Sequence, residues 1–151
     1  MSAFPDTSFL CALYVPLEHS HIATSWMARQ TSPLGISPLA LYEFRASARL
    51  QTFRWQNDHT QGFPPAVAKA ALAKLNANME AGALTLVSVD FADILDRAER
   101  LSAQHCASGG HRSMDVLHVA TALHLRAKRF LTFDSRQRKL AQAAGLATGP
   151  G

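Results

Sequence analysis

Four acidic residues occupy positions from which they could share one metal ion: Asp6, Glu43, Asp115 and Asp134. Hard divalent cations such as Mg²⁺ and Mn²⁺ prefer oxygen ligands, which carboxylates supply. Without a cation, carboxylates a few ångströms apart repel one another, and one of them is forced to hold a proton. The chain shows no Ser-His-Asp pattern and no Cys/His spacing typical of zinc. These residues favour a Mg²⁺ or Mn²⁺ site, provided that the fold brings them together.

Residues 112–137 carry two of the four acids. Residues 113–127 are apolar at nearly every position, a pattern typical of a buried helix, and Asp115 lies near its first turn. A strand at 130–133 then ends at Asp134. Ligands of open α/β sheets collect outside the carboxyl ends of the strands. The most hydrophobic part of the chain therefore brings two carboxylates toward one place.

Each acid also has a simpler interpretation. Ser113 can cap the helix, which leaves Asp115 in a first turn where the helix dipole favours negative charge. Asp134 and Gln137 fit a capping box. Glu43, judged alone, is better explained as a solvated surface acid. Acids at matching positions elsewhere in the chain are what favour a shared site.

The elements that would position the acids alternate between strand and helix. Residues 2–5 predict a first strand, weakened by Pro5, which has no N–H to donate. Asp6 or Ser8 can cap the next helix. Further strands are predicted at 34–37, 84–89, 130–133 and 146–148, and helices at 9–14, 18–29, 38–53, 65–81, 91–107, 113–127 and 135–144. This alternation favours an α/β fold with a parallel sheet of four or five short strands, in one domain spanning 1–151.

Two segments carry more specific expectations. Within 38–53, helical spacing predicts that one stripe faces the core, with Glu43 at its edge. That stripe consists of Leu39, Tyr42, Ala46, Leu50 and Phe53. Residues 55–65 predict a long irregular loop, either mobile or closing over something.

Composition narrows the class of protein. The formal net charge is +4, from 15 basic and 11 acidic residues. A basic surface suits a polyanionic partner, although a merely soluble basic protein has the same balance. No apolar stretch approaches the ~20 residues of a membrane helix, and no signal peptide is recognisable. Cys11 and Cys106 suit a reduced protein, so we expect a cytoplasmic location and no membrane partner.

Several motifs resemble one known family over residues 2–148. They are Asp6-Thr7-Ser8, Glu43 in an arginine-bearing helix, Asp-Val-Leu-His-Val-Ala-Thr-Ala at 115–122, and Phe-Leu-Thr-Phe-Asp at 130–134. Arg136-Gln137 and Ala-Ala-Gly-Leu at 143–146 complete the set. Together they resemble a PIN-domain nuclease, and the chain's size is similar to that of VapC-type toxins of bacterial toxin–antitoxin pairs. The second half carries most of this resemblance.

The resemblance implies a PIN-like three-layer sandwich and a metal-dependent endoribonuclease. Asp6, Glu43, Asp115 and Asp134 would hold one or two Mg²⁺ or Mn²⁺ ions. The metal would activate a water that attacks phosphorus, leaving a 5′-phosphate and a 3′-hydroxyl. Ser8 would support Asp6 from beside it. A cognate antitoxin and a homodimeric state are implied as well.

Other basic and imidazole side chains near the acids are less specific. Arg112 and Arg136 are candidates for contacting the RNA phosphate, and could equally form a solvated rim, as could Arg138 and Lys139. His118 lies one helical turn after Asp115 and is expected to be a packed core histidine.

Two other functions remain open at this point. One is a nuclease of the same fold that processes RNA or cleaves DNA without an antitoxin. The other is a catalytically silent PIN-like binding module, against which the presence of all four acids argues. An antitoxin gene immediately upstream would separate the toxin from the nuclease without a partner.

Overall fold

A computed structural model of the protein describes residues 1–150. The described chain contains five short strands and seven helices, close to the predicted pattern. The strands are β1 (Phe4–Pro5), β2 (Leu34–Ile36), β3 (Leu84–Leu86), β4 (Arg129–Leu131) and β5 (Ala147–Gly149). The helices are α1 (Thr7–Tyr14), α2 (Ser20–Ala28), α3 (Pro38–Asn57), α4 (Pro65–Glu80), α5 (Phe91–Gly109), α6 (Ser113–His124) and α7 (Ser135–Ala143).

All strand pairs are parallel, as predicted, but the strands form two ladders. The first has the order β1-β4-β5, and the second pairs β2 with β3. The expected single sheet is therefore interrupted between β1 and β2. β1 has only two residues, and Pro5 lacks a ladder donor. The next backbone N–H, that of Asp6, bonds to the carbonyl of Leu131 in β4 at 3.0 Å.

The sheet separates two hydrophobic cores. One lies under α1 to α4 and includes Phe9, Phe44 and Leu75. The other lies under α5 to α7 and includes Val119 and Phe130. Helices on both faces of a parallel sheet confirm the three-layer α/β sandwich. α6 is buried on most sides, as its sequence predicted, which fixes the place of its acid.

Helix α3 differs from the sequence prediction in length and in orientation. It continues to Asn57, which shortens the loop before α4 to residues 58–64. The predicted inward stripe was wrong, because Tyr42, Leu50 and Phe53 are exposed. The buried face of α3 instead consists of Ala40, Leu41, Phe44 and Ala48.

Two further observations concern the hydropathy of the helices and the two cysteines. No helix within residues 1–150 is long and apolar enough to cross a membrane. Cys11 and Cys106 are both free and partly buried.

Candidate metal centre

Asp6 is the most enclosed of the four acids. It caps α1 by accepting the N–H of Phe9 at 2.8 Å, and its side chain is fully buried. The hydroxyl of Ser8 donates to both carboxylate oxygens, at 2.7 and 2.9 Å, and that of Thr132 donates to Oδ2 at 2.6 Å. Burial raises the pKa of Asp6, and these hydrogen bonds only partly oppose it.

Glu43 lies in the second turn of α3, between α1 and α6. Its Oε2 accepts a hydrogen bond from the hydroxyl of Thr7 and lies 2.5 Å from Nε2 of His118. Burial raises the pKa of Glu43, but the hydrogen bonds from His118 and Thr7 outweigh it and leave the pKa below its usual range. Glu43 is therefore not the free surface acid that its sequence context alone favoured.

Asp115 lies in the first turn of α6 and is also buried. Arg112 donates two hydrogen bonds to it, from Nε to Oδ2 at 2.9 Å and from Nη2 to Oδ1 at 3.2 Å. Nε2 of Gln137 donates to Oδ1 at 2.9 Å. Burial raises the pKa of Asp115, but the hydrogen bonds from Arg112 and Gln137 bring it below its ordinary value.

Asp134 follows β4 and caps α7. Its Oδ1 accepts the backbone N–H groups of Arg136 and Gln137, at 2.8 and 3.0 Å. Its Oδ2 lies 3.5 Å from Nη2 of Arg112. One oxygen thus fixes the helix end, while the other faces the guanidinium that also holds Asp115.

The capping interpretation is correct for two of the acids. Asp6 and Asp134 are both N-caps. Asp115 is not a cap, and neither is Ser113, because Arg112 takes the N-cap position without a side-chain capping bond. A cap bond uses one oxygen of a carboxylate, and each carboxylate has about four lone-pair sites. Capping alone therefore leaves Oδ2 of Asp134 available to a cation, whereas both oxygens of Asp6 also accept hydrogen bonds from Ser8 and Thr132.

Arg112 is the shared neighbour of three acids. Hydrogen bonds from Arg112 to Asp115, followed by the charges of Asp115, Asp134 and Glu43, raise the pKa of its guanidinium. Asp6 lies beside the same region, because the next residue, Thr7, donates a hydrogen bond to Glu43. The structure thus directs all four predicted acids toward one region, between α1, α3, α6 and the carboxyl end of β4.

The acids are not closed around a point in this arrangement. Within residues 1–150, no three His, Cys, Asp or Glu side chains lie in a geometry that would hold a metal ion. Arg112 bridges Asp115 and Asp134 instead, and its side chain is 69% exposed. The chemistry of the set nevertheless fits a hard cation, because all four groups offer carboxylate oxygens and the guanidinium that bridges two of them lies at the surface. The metal-ligand role of the four acids stays a prediction.

Some of the residues that contact the four acids were predicted from the sequence, and others were not. Ser8 contacts Asp6 as expected, and Arg136 is exposed beside Asp134. Thr7 and Thr132 were not foreseen as partners of acids, and His118 was expected only to pack. Gln137 was expected to form a capping box with Asp134, and its backbone N–H does bond to Asp134, but its side chain donates to Asp115 instead. One signal was present: His118 lies three residues after Asp115, and residues at that spacing share a helix face.

The fold and the arrangement of the four acids indicate one class of protein. The sequence model of one family matches this chain. The model of the PIN domain matches residues 3–143. This chain belongs to the PIN-domain family. No curated protein sequence matches it.

Solved structures with the same fold cover almost the whole chain. VapC20 of Mycobacterium tuberculosis, described as a sarcin–ricin loop cleaving toxin, is 22% identical with a TM-score of 0.66 and covers 97% of each chain. VapBC-1 of Haemophilus influenzae is 12% identical, with a TM-score of 0.66, covering 99% of this chain and 97% of the other. VapBC2 of Rickettsia felis, bound to promoter DNA, is 13% identical, with a TM-score of 0.64 and coverage of 99% and 98%.

Proposed function

We propose that this protein is a metal-dependent endoribonuclease and the toxin of a toxin–antitoxin pair. The observation that carries the proposal is the gathering of Asp6, Glu43, Asp115 and Asp134 at one end of a PIN fold. Asp115 and Asp134 share a single arginine there. The similarity to VapC20, which is described as a sarcin–ricin loop cleaving toxin, supports the proposal of RNA as the substrate.

Four carboxylates would hold the cation: Asp6, Glu43, Asp115 and Asp134. A bound Mg²⁺ or Mn²⁺ supplies a water of lowered pKa and offsets negative charge on the phosphate. The protein's own contribution is to orient the ligands. Ser8 and Thr132 fix Asp6, while Gln137 fixes Asp115.

Arg112 and Arg136 are proposed to bind the RNA backbone. Nε and Nη2 of Arg112 donate to the acids, whereas Nη1 donates no hydrogen bond to any of the described residues. A guanidinium has five donors in a planar fork, so two remain available for a phosphate oxygen. Arg136 is exposed at the start of α7, on the same side as Asp134.

Purified protein incubated with total RNA tests the enzymatic proposal. We expect cleavage with Mg²⁺ or Mn²⁺ and none with EDTA. Single-stranded DNA of matched length is the parallel substrate and is expected to remain intact. Cleavage that survives chelation would contradict the metal-dependent reaction, and equal cleavage of DNA would contradict a ribonuclease.

A protein partner is proposed for two reasons. The Haemophilus and Rickettsia relatives are described as VapBC assemblies, and the chain exposes several large apolar side chains. Exposed apolar side chains mark a protein interaction site when they lie close together on the surface. Tyr42, Leu50 and Phe53 lie along one face of α3. The exposed large apolar side chains are Met1, Leu17, Tyr42, Leu50, Phe53, Leu86, Phe91 and Leu95. We propose that an antitoxin and a second copy of this chain cover parts of this surface. We also propose that the protein has a single domain and is cytoplasmic.

Growth of cells expressing the chain tests the toxin role. Expression of the wild type is expected to arrest growth, and co-expression of a small protein encoded immediately upstream is expected to restore it. Asp115→Asn is the matched variant and should leave growth unimpaired. Unimpaired growth with the wild type would favour a PIN nuclease without an antitoxin.

A further inference from the structure

Three helices meet at the carboxylate of Glu43. Thr7 in α1 and His118 in α6 both contact its Oε2, the histidine through Nε2 at 2.5 Å. Nε2 of His118 also lies 3.3 Å from the hydroxyl of Thr7. A carboxylate only accepts hydrogen bonds, so Nε2 carries the hydrogen in this contact. The three side chains form a closed group on one oxygen.

His118 is an unusual residue to find at its position. Its side chain is fully buried in α6, among apolar neighbours such as Val119 and Ala122. Its other nitrogen, Nδ1, is buried without a hydrogen-bond partner among the described residues. Leaving a buried polar atom unpaired destabilises a fold. An apolar side chain would fill this space without that penalty, so packing alone does not account for the histidine.

The contact restricts Glu43 in a defined way. Glutamate has three rotatable bonds, and the side chain of Glu43 is partly exposed, so it would otherwise sample several positions. Both donors bind Oε2, while Oε1 receives no hydrogen bond from residues 1–150. The carboxylate is therefore anchored by one oxygen and presents the other. The hydrogen bond from His118 also helps to keep the pKa of Glu43 low, against the effect of burial.

The two helices that hold Glu43 also carry two of the other acids. Thr7 directly follows Asp6 at the start of α1, and His118 lies one turn after Asp115 in α6. Thus the elements that place Asp6 and Asp115 also supply the two groups that fix Glu43. Residues that orient metal ligands are typically part of the site's design in this way.

We propose that His118 is a positioning residue that, with Thr7, holds Glu43 in the orientation required for cation binding. The inference rests on the proposed function, since it takes Glu43 as a ligand. His118 itself contacts neither the cation nor the RNA. Its role is to present Oε1 of Glu43 to the region shared with Asp115.

Calorimetric titration of the intact protein with Mn²⁺ alone tests this role. His118→Leu fills a similar volume but removes the donor, and we expect roughly 10–100-fold weaker Mn²⁺ binding. His118→Gln places an amide N–H near the position of Nε2 and is expected to restore most of the affinity. Thr121→Val is the control, because Thr121 is buried in the same helix and bonds only to the carbonyl of Leu117, at 2.7 Å. It should bind Mn²⁺ as the wild type does.

Thr7→Val provides a second variant in case His118→Leu does not fold. It removes the other donor to Oε2 at a half-buried position and is expected to weaken Mn²⁺ binding in the same direction. Wild-type affinity in a folded His118→Leu variant, or in Thr7→Val if the leucine variant is unfolded, would overturn this inference alone. A wild-type protein that binds no Mn²⁺ would overturn the proposed function and this inference with it.

Discussion

Arg112 changes the electrostatics that the acids alone would have. At about 5 Å and an effective dielectric of about 20, two like charges repel by roughly 3 kcal/mol. Asp115 and Asp134 both pair with Arg112, which offsets this repulsion when no cation is bound. Because the pKa of Asp115 is lowered, its ionised form stabilises the fold. Arg112 therefore compensates the charges of Asp115 and Asp134 without metal.

Asp115→Asn should reveal this compensation. We expect RNA cleavage to be lost and the free energy of unfolding in EDTA to fall by about 1 kcal/mol at pH 7, because charged hydrogen bonds become neutral ones. A lowered pKa gives a contribution that is present above the ordinary value near 3.9 and is lost as the pH falls through the folded value. Melting curves of wild type and variant should therefore converge below about pH 4. A constant difference from pH 7 to pH 3 would contradict this account.

Arg112→Gln separates the roles of the guanidinium. In EDTA we expect a small loss of stability, about 1 kcal/mol or less, because the arginine is largely exposed. The increase in melting temperature caused by Mg²⁺ should become larger, because a cation no longer displaces bonds to Asp115. Arg136→Gln is the control, since that exposed side chain has no hydrogen bond to the acids. Thermal unfolding with and without Mg²⁺ measures both effects, and equal behaviour of the two variants would count against a special role for Arg112.

Among the elements, α3 shows that helical periodicity does not always determine which face of a helix is buried. Leu41, Phe44 and Ala48 also recur at helical spacing, so the sequence offers two apolar stripes. The structure buries the stripe centred on Phe44, which packs edge-on against Tyr14 at 5.8 Å between ring centroids. Which stripe faces the core depends on its partners in α1 and α4, and spacing within one helix does not contain that information.

The exposed stripe of α3, which includes Tyr42, Leu50 and Phe53, leads to a prediction about the oligomeric state in solution. If a second copy covers it, the double variant Tyr42→Ser and Phe53→Ser should shift the protein from dimer to monomer without a large change in melting temperature, since both side chains are exposed. Leu17→Ser is the matched control, an exposed apolar residue outside α3 that should leave the mass unchanged. Light scattering after gel filtration measures the mass. A wild-type monomer would contradict the proposed homodimer.

At the scale of the whole molecule, the sequence was sufficient for the architecture. Alternating strands and helices predicted the parallel sandwich, and the apolar run after Arg112 predicted the buried helix α6. Pro5 indicated a weak first strand, although the break between β1 and β2 required the structure. Strand ends and helix starts leave recognisable patterns, because they depend on neighbours in the sequence.

The candidate site was only partly predictable for the same physical reason. Asp6 and Asp134 follow strands, so their places could be inferred from local sequence. The contact of Glu43 with His118 joins residues 75 positions apart and exists only because α3 packs near α6. Gln137 reaches Asp115 across 22 positions in a comparable way. The spacing of His118 from Asp115 places both on one helix face. Spacing does not show which residue of another helix lies opposite that face.

Binding of a divalent cation by the four acids can be tested through the effect of Mg²⁺ on the melting temperatures of the wild type and Asp134→Asn. Asn caps a helix about as well as Asp, so the variant keeps the start of α7 and loses only a charge. A ligand that binds only the native state stabilises it, by about 2.7 kcal/mol at 100 times its dissociation constant. We predict a Mg²⁺-dependent rise for the wild type and a clearly smaller one for Asp134→Asn. No rise in the wild type, or an equal rise in both proteins, would contradict the account.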